Sequence, residues 1–504
     1  MGSLHRAVAS SGACDAVLVV PPPSPSDTNP PLGPAIIARV AQRAGFNVRV
    51  VDLNALHISR FREFPQRRDT LALGDHGKDR LIVAQAARQL YEVTGLYGYD
   101  PEFMPDDADP VAGMHYSWDA LDSAVRDQSE GGTWWIEWLE RDLFGRFPDP
   151  PAFLGVSVMG ASQVFAALVI FRQAKRRWPG TVTVAGGSHI TLLSEQIQHE
   201  PRYRAGIDLI LPGHSEDTFV DLLRCEAQPG QRADPALPSA DGFEYIPLFD
   251  AEQLGHYVSE NLTIPLQFTR GCAYARCTFC TYPAVEPALT RFNPDRAAAA
   301  VRALAGEYGV RRFSVKDSLF TVPVMESFAA ALVAARTGPV SWSATTKVTR
   351  RLALVAPVLA EAGLSTVELG IESIRPATQK LFGKQASLAL VEDVILALAA
   401  EKVLVVINLI FGAHGETLDD AERQLAWYTR MREMAPGYVD GSLNLLEVVR
   451  GSPMERIPPP GMVLNGIAPW AYCYQWNAPG WRSGFARQLH TAELARPRAP
   501  AIGA

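Results

Sequence analysis

Apolar residues along this chain gather in short strand-like runs separated by longer stretches with helical spacing, and the alternation occurs in two blocks. In the first block, residues 15–20 form an apolar run that Pro21-Pro22-Pro23 ends. Leu32-Gly33-Pro34 then opens a helical segment to Ala44, Gly45 stops it, and residues 46–53 are again β-rich. The pattern resumes with a run at 152–159, a helical segment at 164–178 ended by Pro179-Gly180, and runs at 181–185 and 207–211. Strand, loop, helix and strand in that order predict a doubly wound parallel sheet, in which a ligand sits in the crevice beyond the carboxyl ends of the strands. The second block has runs at 264–268, 312–316, 340–345, 366–371, 403–411 and 439–448, with Ala- and Leu-rich helical stretches between them. Six βα units are too few to close an eight-stranded barrel and predict an open, partial (β/α)6 barrel. The fold class expected is therefore α/β, a doubly wound domain followed by a partial barrel.

The stretches that break the alternation mark the boundaries. Residues 57–150 are too long for a plain connection and read as an insertion in a first domain spanning 1–226. Within it, Trp134-Trp135-Ile136-Glu137-Trp138 has the spacing of a packed apolar helix face. Residues 227–260 read as a linker, rich in Pro, Gly, Asp and Ala as far as 247, and the barrel occupies 261–454. Residues 455–504 hold Trp470, Tyr472, Cys473, Tyr474, Trp476 and Trp481, an aromatic cluster that reads as core closing the open barrel, with the lining of a substrate pocket as the alternative. The Pro/Ala/Arg-rich tail from 495 onward reads as disordered.

Composition narrows the function. With 504 residues, 47% of them hydrophobic and 20% charged, the chain is long enough for two or three packed domains of a soluble globular protein. A net charge of −7 leaves no electrostatic footprint for nucleic acid, which favours a basic face. No run of ~18 apolar residues is present and the N-terminus lacks the apolar core of a signal peptide, so neither a membrane nor export is expected. A cytoplasmic location follows, where thiols stay reduced and free to take metal.

Three of the six cysteines lie in one short stretch, Gly271-Cys272-Ala273-Tyr274-Ala275-Arg276-Cys277-Thr278-Phe279-Cys280, directly after the first barrel strand. Three thiolates from one loop can hold three irons of a [4Fe–4S] cluster and leave the fourth iron open, because soft sulfur ligands suit iron. The same cysteines suit structural zinc, which wants a fourth Cys or His at similar spacing; the next candidates, His414 and Cys473, are isolated and far away in sequence. Ligand chemistry alone leaves both metals open.

In its context the loop resembles that of the radical S-adenosylmethionine (SAM) enzymes, C-x-x-x-C-x-x-C with an aromatic residue before the last cysteine, a place that Phe279 takes. Gly370-Ile371-Glu372-Ser373, Phe411-Gly412-Ala413-His414-Gly415-Glu416-Thr417 and residues 446–453 match later motifs of that family. One departure is the first gap, four residues instead of three, with Ala275 between Tyr274 and Arg276. The first block is similar to the Rossmann-like cobalamin-binding domain that one large class of these enzymes carries. The matching segments are Pro31-Leu32-Gly33, Val51-Asp52-Leu53-Asn54, Gly155-Val156-Ser157, Gly186-Gly187-Ser188-His189 and Gly213-His214-Ser215-Glu216. Glycines directly after strands let backbone approach a ligand closely, and each is equally an ordinary tight turn. The D-x-H-x-x-G motif is absent: His57 is spaced wrongly from Asp52, and Asp75-His76-Gly77 only echoes it. No histidine of this chain is therefore expected beneath the cobalt.

The resemblance implies a [4Fe–4S] cluster on Cys272, Cys277 and Cys280, with SAM chelating the open iron. It implies SAM contacts from Asp317 and Ser318 at the end of the second barrel strand, Lys347 after the third, Glu372 and Ser373 after the fourth, and Asn408 on the fifth. For cobalamin it implies Leu32, Gly33, Ser157, Gly186, Gly187, Gly213 and Glu216. The activity implied is that of a cobalamin-dependent radical SAM enzyme, most simply a methyltransferase acting on an unactivated carbon, or phosphorus, of a small biosynthetic intermediate. A reducing partner such as flavodoxin or ferredoxin goes with that chemistry. Two alternatives stand beside it: rearrangement or cyclisation without methylation, and a non-catalytic metal-binding protein with a degenerate form of the same fold.

Overall fold

The computed structural model describes residues 14–22, 29–63, 130–224, 243–257, 262–465 and, except for 472, 475, 483 and 487, residues 471–489. The first block folds as five parallel strands in the order 2-1-3-4-5: β1 (Ala16–Val20), β2 (Val48–Asp52), β3 (Phe153–Ser157), β4 (Val182–Gly186) and β5 (Leu209–Ile210). Successive strand residues point to opposite faces, and both faces are buried. Leu18 and Val50 pack beneath α1 (Leu32–Arg43) and α6 (Glu216–Leu223). On the other face Val17, Val156 and Leu154 meet α4 (Val164–Arg177) and α5 (Ser188–His199). The chain reverses its winding between β1 and β3, which opens a crevice at their carboxyl ends.

The two ends of the stretch read as an insertion belong to this shell. Helix α2 (Leu53–Glu63) continues directly from β2, its first turn held by the Asp52 carboxylate, which accepts from Ala55 N at 3.0 Å. Helix α3 (Glu130–Asp142) buries Trp138 and Leu139 in the same core as β3, and the following Phe144 ring lies edge-on to Trp178 at 4.8 Å. Ile136 and Glu137 face outward. Asp75, His76 and Gly77 lie outside the described residues, as do Trp470, Tyr472 and the tail from 495.

The second block is a six-stranded, all-parallel sheet in sequential order: β6 (Thr263–Leu266), β7 (Arg312–Val315), β8 (Ser341–Thr346), β9 (Leu364–Glu372), β10 (Leu404–Phe411) and β11 (Val439–Leu445). Helices α7 (Pro294–Tyr308), α8 (Val322–Ala334), α9 (Arg350–Glu361), α10 (Leu388–Ala400) and α11 (Leu418–Met434) connect them. Side chains cap four of the five: Asn293, Thr349 and Ser387 each accept a first-turn amide, and Thr417 forms a capping box with Asp420. Burial alternates strictly along β8 and β10. Trp342, Ala344, Ile407 and Leu409 face the helices, while Ser343, Thr345 and Asn408 line a half-open concave face. That is the pattern of an open barrel, in which one side of the sheet remains accessible.

The run read as one strand over 439–448 divides. β11 ends at Leu445, and β12 (Val448–Val449) pairs antiparallel with β13 (Cys473–Tyr474). This places Trp476 and Tyr474 with Leu446, Val448, Met454 and Phe279 in a separate apolar cluster over the barrel mouth. Arg482 adds a donor to Leu446 O at 2.7 Å. The described part of the linker, 243–257, stitches the halves together: Leu248 N donates to Ala35 O at 2.9 Å, and Arg39 of α1 reaches Glu307 of α7 at 2.9 Å. Among the described residues no helix is long and apolar enough to cross a membrane.

Two positions carry measurable stability. Trp342 is 1% exposed, packs edge-on against Phe328 at 5.2 Å, and donates its indole N–H to Ala362 O at 2.9 Å. Trp342→Ala is expected to cost about 3–5 kcal/mol, read as a lowered denaturant midpoint. Asp317, just past β7, accepts from Phe268 N at 2.7 Å, Thr269 N at 2.8 Å and the Thr269 hydroxyl, fastening the exit of β6. Burial pushes its carboxyl up to about 7 against the pull of those donors. A folded-state value above the unfolded one means the folded chain holds this proton longer, so the contribution of Asp317 to stability falls as pH rises from about 4 to about 7. The unfolding free energy of the wild type minus that of Asp317→Asn should shrink over that window; a constant difference would contradict the assignment.

Candidate functional site

The cysteine loop leaves β6 and is gripped on every side. Ser318 Oγ donates to Gly271 O at 2.7 Å, and Gly271 itself has φ +77°, with space for no Cβ because Ala288 O would lie 2.5 Å from it. On the far side, Thr278 Oγ1 donates to Leu381 O at 2.7 Å and the Tyr274 hydroxyl donates to Gly383 O. Phe279 meets Phe382 edge-on at 5.1 Å. Behind the loop, Met454 N donates to Thr278 O at 2.7 Å and Thr281 Oγ1 to Arg450 O at 2.8 Å. Cys272, Cys277 and Cys280 are free thiols, each half-buried on this one loop. The additional residue, Ala275, is exposed and left-handed with φ +47°, and its N–H points at Cys272 Sγ at 3.4 Å. Burial pushes the Cys277 thiol up to about 11 and raises Cys280 as well, while Lys384 pulls both down. Among the described residues no three His, Cys, Asp or Glu side chains are gathered to hold one metal ion.

Beside the loop lies the end of β9. A register shift between Asn408 and Leu409 of β10 turns Glu372 inward with φ +66°. Its carboxylate is 3.2 Å from Lys384 Nζ, which also donates to Gly370 O at 3.1 Å. Gly370 permits this approach, since a Cβ there would be 2.7 Å from Glu372 Oε1. Burial raises the Glu372 carboxyl, and Lys384 opposes the shift; burial lowers Lys384, but Glu372 and Cys277 hold it above its usual value. Lys347 sits with Nζ 3.5 Å from the centre of the Tyr274 ring, lowered by burial and by Lys384. Asn408 is in register with Gly370 and Ser442 on the concave face.

The residues matched to SAM contacts therefore divide. Glu372, Lys347 and the cysteine loop come together. Asp317 and Ser318 spend their polar atoms on the loop backbone, and Ser373, fully buried, accepts from Arg375 N at 3.1 Å. Lys384 and Tyr274 were not singled out from the sequence. Nothing in the residues around Lys384 marks it, because its role depends on a turn that brings 383–384 back to the cysteines.

The second feature is a cavity of about 330 Å³ at the carboxyl ends of β1, β3, β4 and β5. Leu32, Gly33, Ser157, Gly186, Gly187, Gly213 and Glu216 all line it. Its floor is made of positions where side chains do not fit. A Cβ on Gly155 would meet the Leu18 side chain at 2.6 Å, and Gly187, at φ +101°, lies against Val158 with O only 2.4 Å from a Cβ. Its roof comes from the barrel half: Gln267, Arg270, Tyr282, Glu286 and Lys316. Arg270 pairs with Glu216 across the seam and lies 3.8 Å over the Phe243 ring. Glu286, 7% exposed, accepts from Gln267 Nε2 at 2.9 Å and from Gly271 N at 2.9 Å, and hydrogen-bonds the Tyr282 hydroxyl. His214 Nε2 is 3.6 Å from Glu286; burial and Arg270 lower the imidazole below its usual value, so it is neutral at pH 7.

Comparison with known proteins agrees with this geometry. Residues 266–427 match the model of the radical SAM superfamily. An uncharacterized methyltransferase of Pyrococcus horikoshii is 24% identical over 254 residues, 46% of this chain and 54% of the relative. The anaerobic magnesium-protoporphyrin IX monomethyl ester cyclase of Cereibacter sphaeroides is 22% identical over 293 residues, 52% of this chain and 47% of the relative. The chain thus spans about half the length of the curated relatives it matches. Among solved structures, the radical SAM methyltransferase TsrM from Kitasatospora setae, with cobalamin and a [4Fe–4S] cluster bound, superposes with a TM-score of 0.59 at 15% identity, covering 97% of this chain and 90% of that one. Residues 266–427 thus carry a radical SAM domain, and the chain as a whole shares the fold of a solved radical SAM methyltransferase that binds cobalamin.

Proposed function

We propose that this protein is a cobalamin-dependent radical SAM methyltransferase acting on a carbon, or a phosphorus, of a small molecule that polar chemistry cannot methylate. The observation that carries the reading is that one stretch, residues 270–286, is both the cysteine loop and part of the roof of the glycine-floored cavity. Two cofactor sites built on one segment lie side by side, as a reaction needing both requires. Three half-buried thiols on one loop fit a [4Fe–4S] cube, which takes its thiolates one per corner, better than one zinc ion, which needs its ligands converged on a single point. The cavity fits a corrinoid in that its floor admits close backbone approach and its rim offers amide, guanidinium and carboxylate partners.

When bound, the cluster with SAM supplies one-electron cleavage to a carbon radical and the corrinoid supplies a methyl carrier. The chain's own residues do the rest. Lys384 and Lys347 place positive charge beside the thiolates and the Glu372 carboxylate, and Glu372, buried and turned inward, offers acceptor oxygens to a ribose or an amino group. Asp317 and Ser318 act as positioning residues that hold the loop. Asn408 on the concave face is placed to meet the adenosyl portion of SAM, and the apolar cluster over the mouth, with Trp476 and Met454, excludes water. A flavodoxin or ferredoxin as reductant and a cytoplasmic setting go with this chemistry. Similarity to the cyclase supports a second reading, cyclisation or rearrangement without methylation.

Reconstituted without oxygen, the protein should hold about four irons per chain with broad absorption near 400 nm. The Cys277→Ala, Cys280→Ala double variant should lose most of that iron; full retention would exclude the cysteine assignment. Given reductant, hydroxocobalamin and methyl-deuterated SAM, the wild type should release 5′-deoxyadenosine and S-adenosylhomocysteine, with deuterium recovered on the corrinoid by mass spectrometry. Deoxyadenosine without S-adenosylhomocysteine would favour the second reading. Neither product, with the cluster intact, would point to a non-catalytic protein.

A further inference from the structure

We infer that Glu286 and His214 couple the occupancy of the cavity to the cysteine loop, so that a corrinoid and an iron–sulfur cluster strengthen each other's binding; the inference rests on the function proposed above. Glu286 closes the loop like a buckle. At the loop's entrance its Oε2 accepts the N–H of Gly271, the residue before Cys272, at 2.9 Å. At the exit it hydrogen-bonds the hydroxyl of Tyr282, two residues past Cys280. Its other oxygen faces the cavity, taking Gln267 Nε2 at 2.9 Å and lying 3.6 Å from His214 Nε2. Gly271 lies so close to the Ala288 backbone that no side chain would fit there, which leaves it little room to move. A shift of the Glu286 carboxylate therefore moves both ends of the segment that carries the thiols.

His214 is the cavity-side partner of this carboxylate. Its Nε2 is buried with no hydrogen-bond partner, an unfavourable state for a polar atom that a ligand in the cavity would relieve. A neutral imidazole nitrogen beside a carboxylate suits a carboxamide, the group that a corrinoid carries around its rim. A ligand amide that bonds His214 and reaches Glu286 fixes in place the same carboxylate that holds Gly271 and Tyr282. Binding at one site then biases the other, and thermodynamic linkage makes the effect equal in both directions.

The test uses the full chain, either loaded with iron and sulfide or left without them, titrated with hydroxocobalamin and followed by its absorbance. In the wild type the cluster should tighten hydroxocobalamin binding by about 5-fold or more, the lower range of ordinary coupling, and saturating hydroxocobalamin should raise the chelator concentration needed to strip the iron. In folded Glu286→Gln the ratio of the two dissociation constants should fall to near one. His214→Ala should lower the ratio too, and it decides the matter if Glu286→Gln does not fold. Equal binding with and without the cluster in the wild type overturns the coupling and leaves the cobalamin reading intact, as does a wild-type ratio retained in the folded Glu286→Gln or, failing that, in His214→Ala. No binding of hydroxocobalamin by the wild type removes both.

Discussion

A chain that leaves a β-strand to wrap a metal cluster exposes amides that no neighbouring strand can take, and a buried amide left without a partner is costly. Here two buried carboxylates take them. Asp317 holds Phe268 N and Thr269 N as β6 ends, and Glu286 holds Gly271 N immediately before the first cysteine. The path of the loop is therefore set by side chains from β7 and from the turn beyond Cys280, independently of the cysteines themselves. The same carboxylates explain why the two halves meet where they do, since Glu286 also faces the cavity and Arg270 reaches Glu216 on the other half.

The balance of charge around the loop follows from this burial. Burial disfavours the ionised forms of the Cys277 and Cys280 thiols, as their raised values reflect. Lys384 acts against that shift on both cysteines and is held charged by Glu372. A four-iron cube with three thiolates carries net negative charge, so a lysine fixed beside it by a buried ion pair offsets part of the cost of burial. The Glu372–Lys384 pair is thus stabilised by what it stands beside, and removing either partner would leave an uncompensated charge in a place with little water.

Much of this architecture was legible in the sequence because it rests on local rules. Strand runs such as 312–316 and 403–411 carry their β-branched and apolar residues together, and the Ala- and Leu-rich stretches between them have helical spacing. The glycines after β4 and β5, each of which could have been an ordinary turn, line the cavity together with Gly33 and Gly155. What could not be read depends on pairing across distance. Nothing near Lys384 reveals that Gly383 meets Arg276, and nothing in 448–449 reveals a partner at 473–474. Helix α3 was absorbed into an apparent insertion for the same reason: Trp138 and Phe144 bury against β3 and Trp178, contacts that only the folded sheet defines.

The longer first gap of the cysteine motif is absorbed locally. One extra residue must go somewhere, and a loop fastened at Gly271, Thr278 and Thr281 can accommodate it only between those points. Ala275 takes it up by turning left-handed at an exposed position, where the small side chain limits the steric penalty of positive φ and no packing is disturbed. Tyr274 just before it remains anchored to Gly383 and covered by Lys347, and Arg276 just after it still meets Gly383. The additional residue is thus taken up in a bulge between two anchored residues, its N–H turned toward Cys272 Sγ. Whatever distinguishes this protein's chemistry from that of its relatives is more readily sought in Glu372, Lys384 and the residues facing the cavity than in the spacing of its thiols.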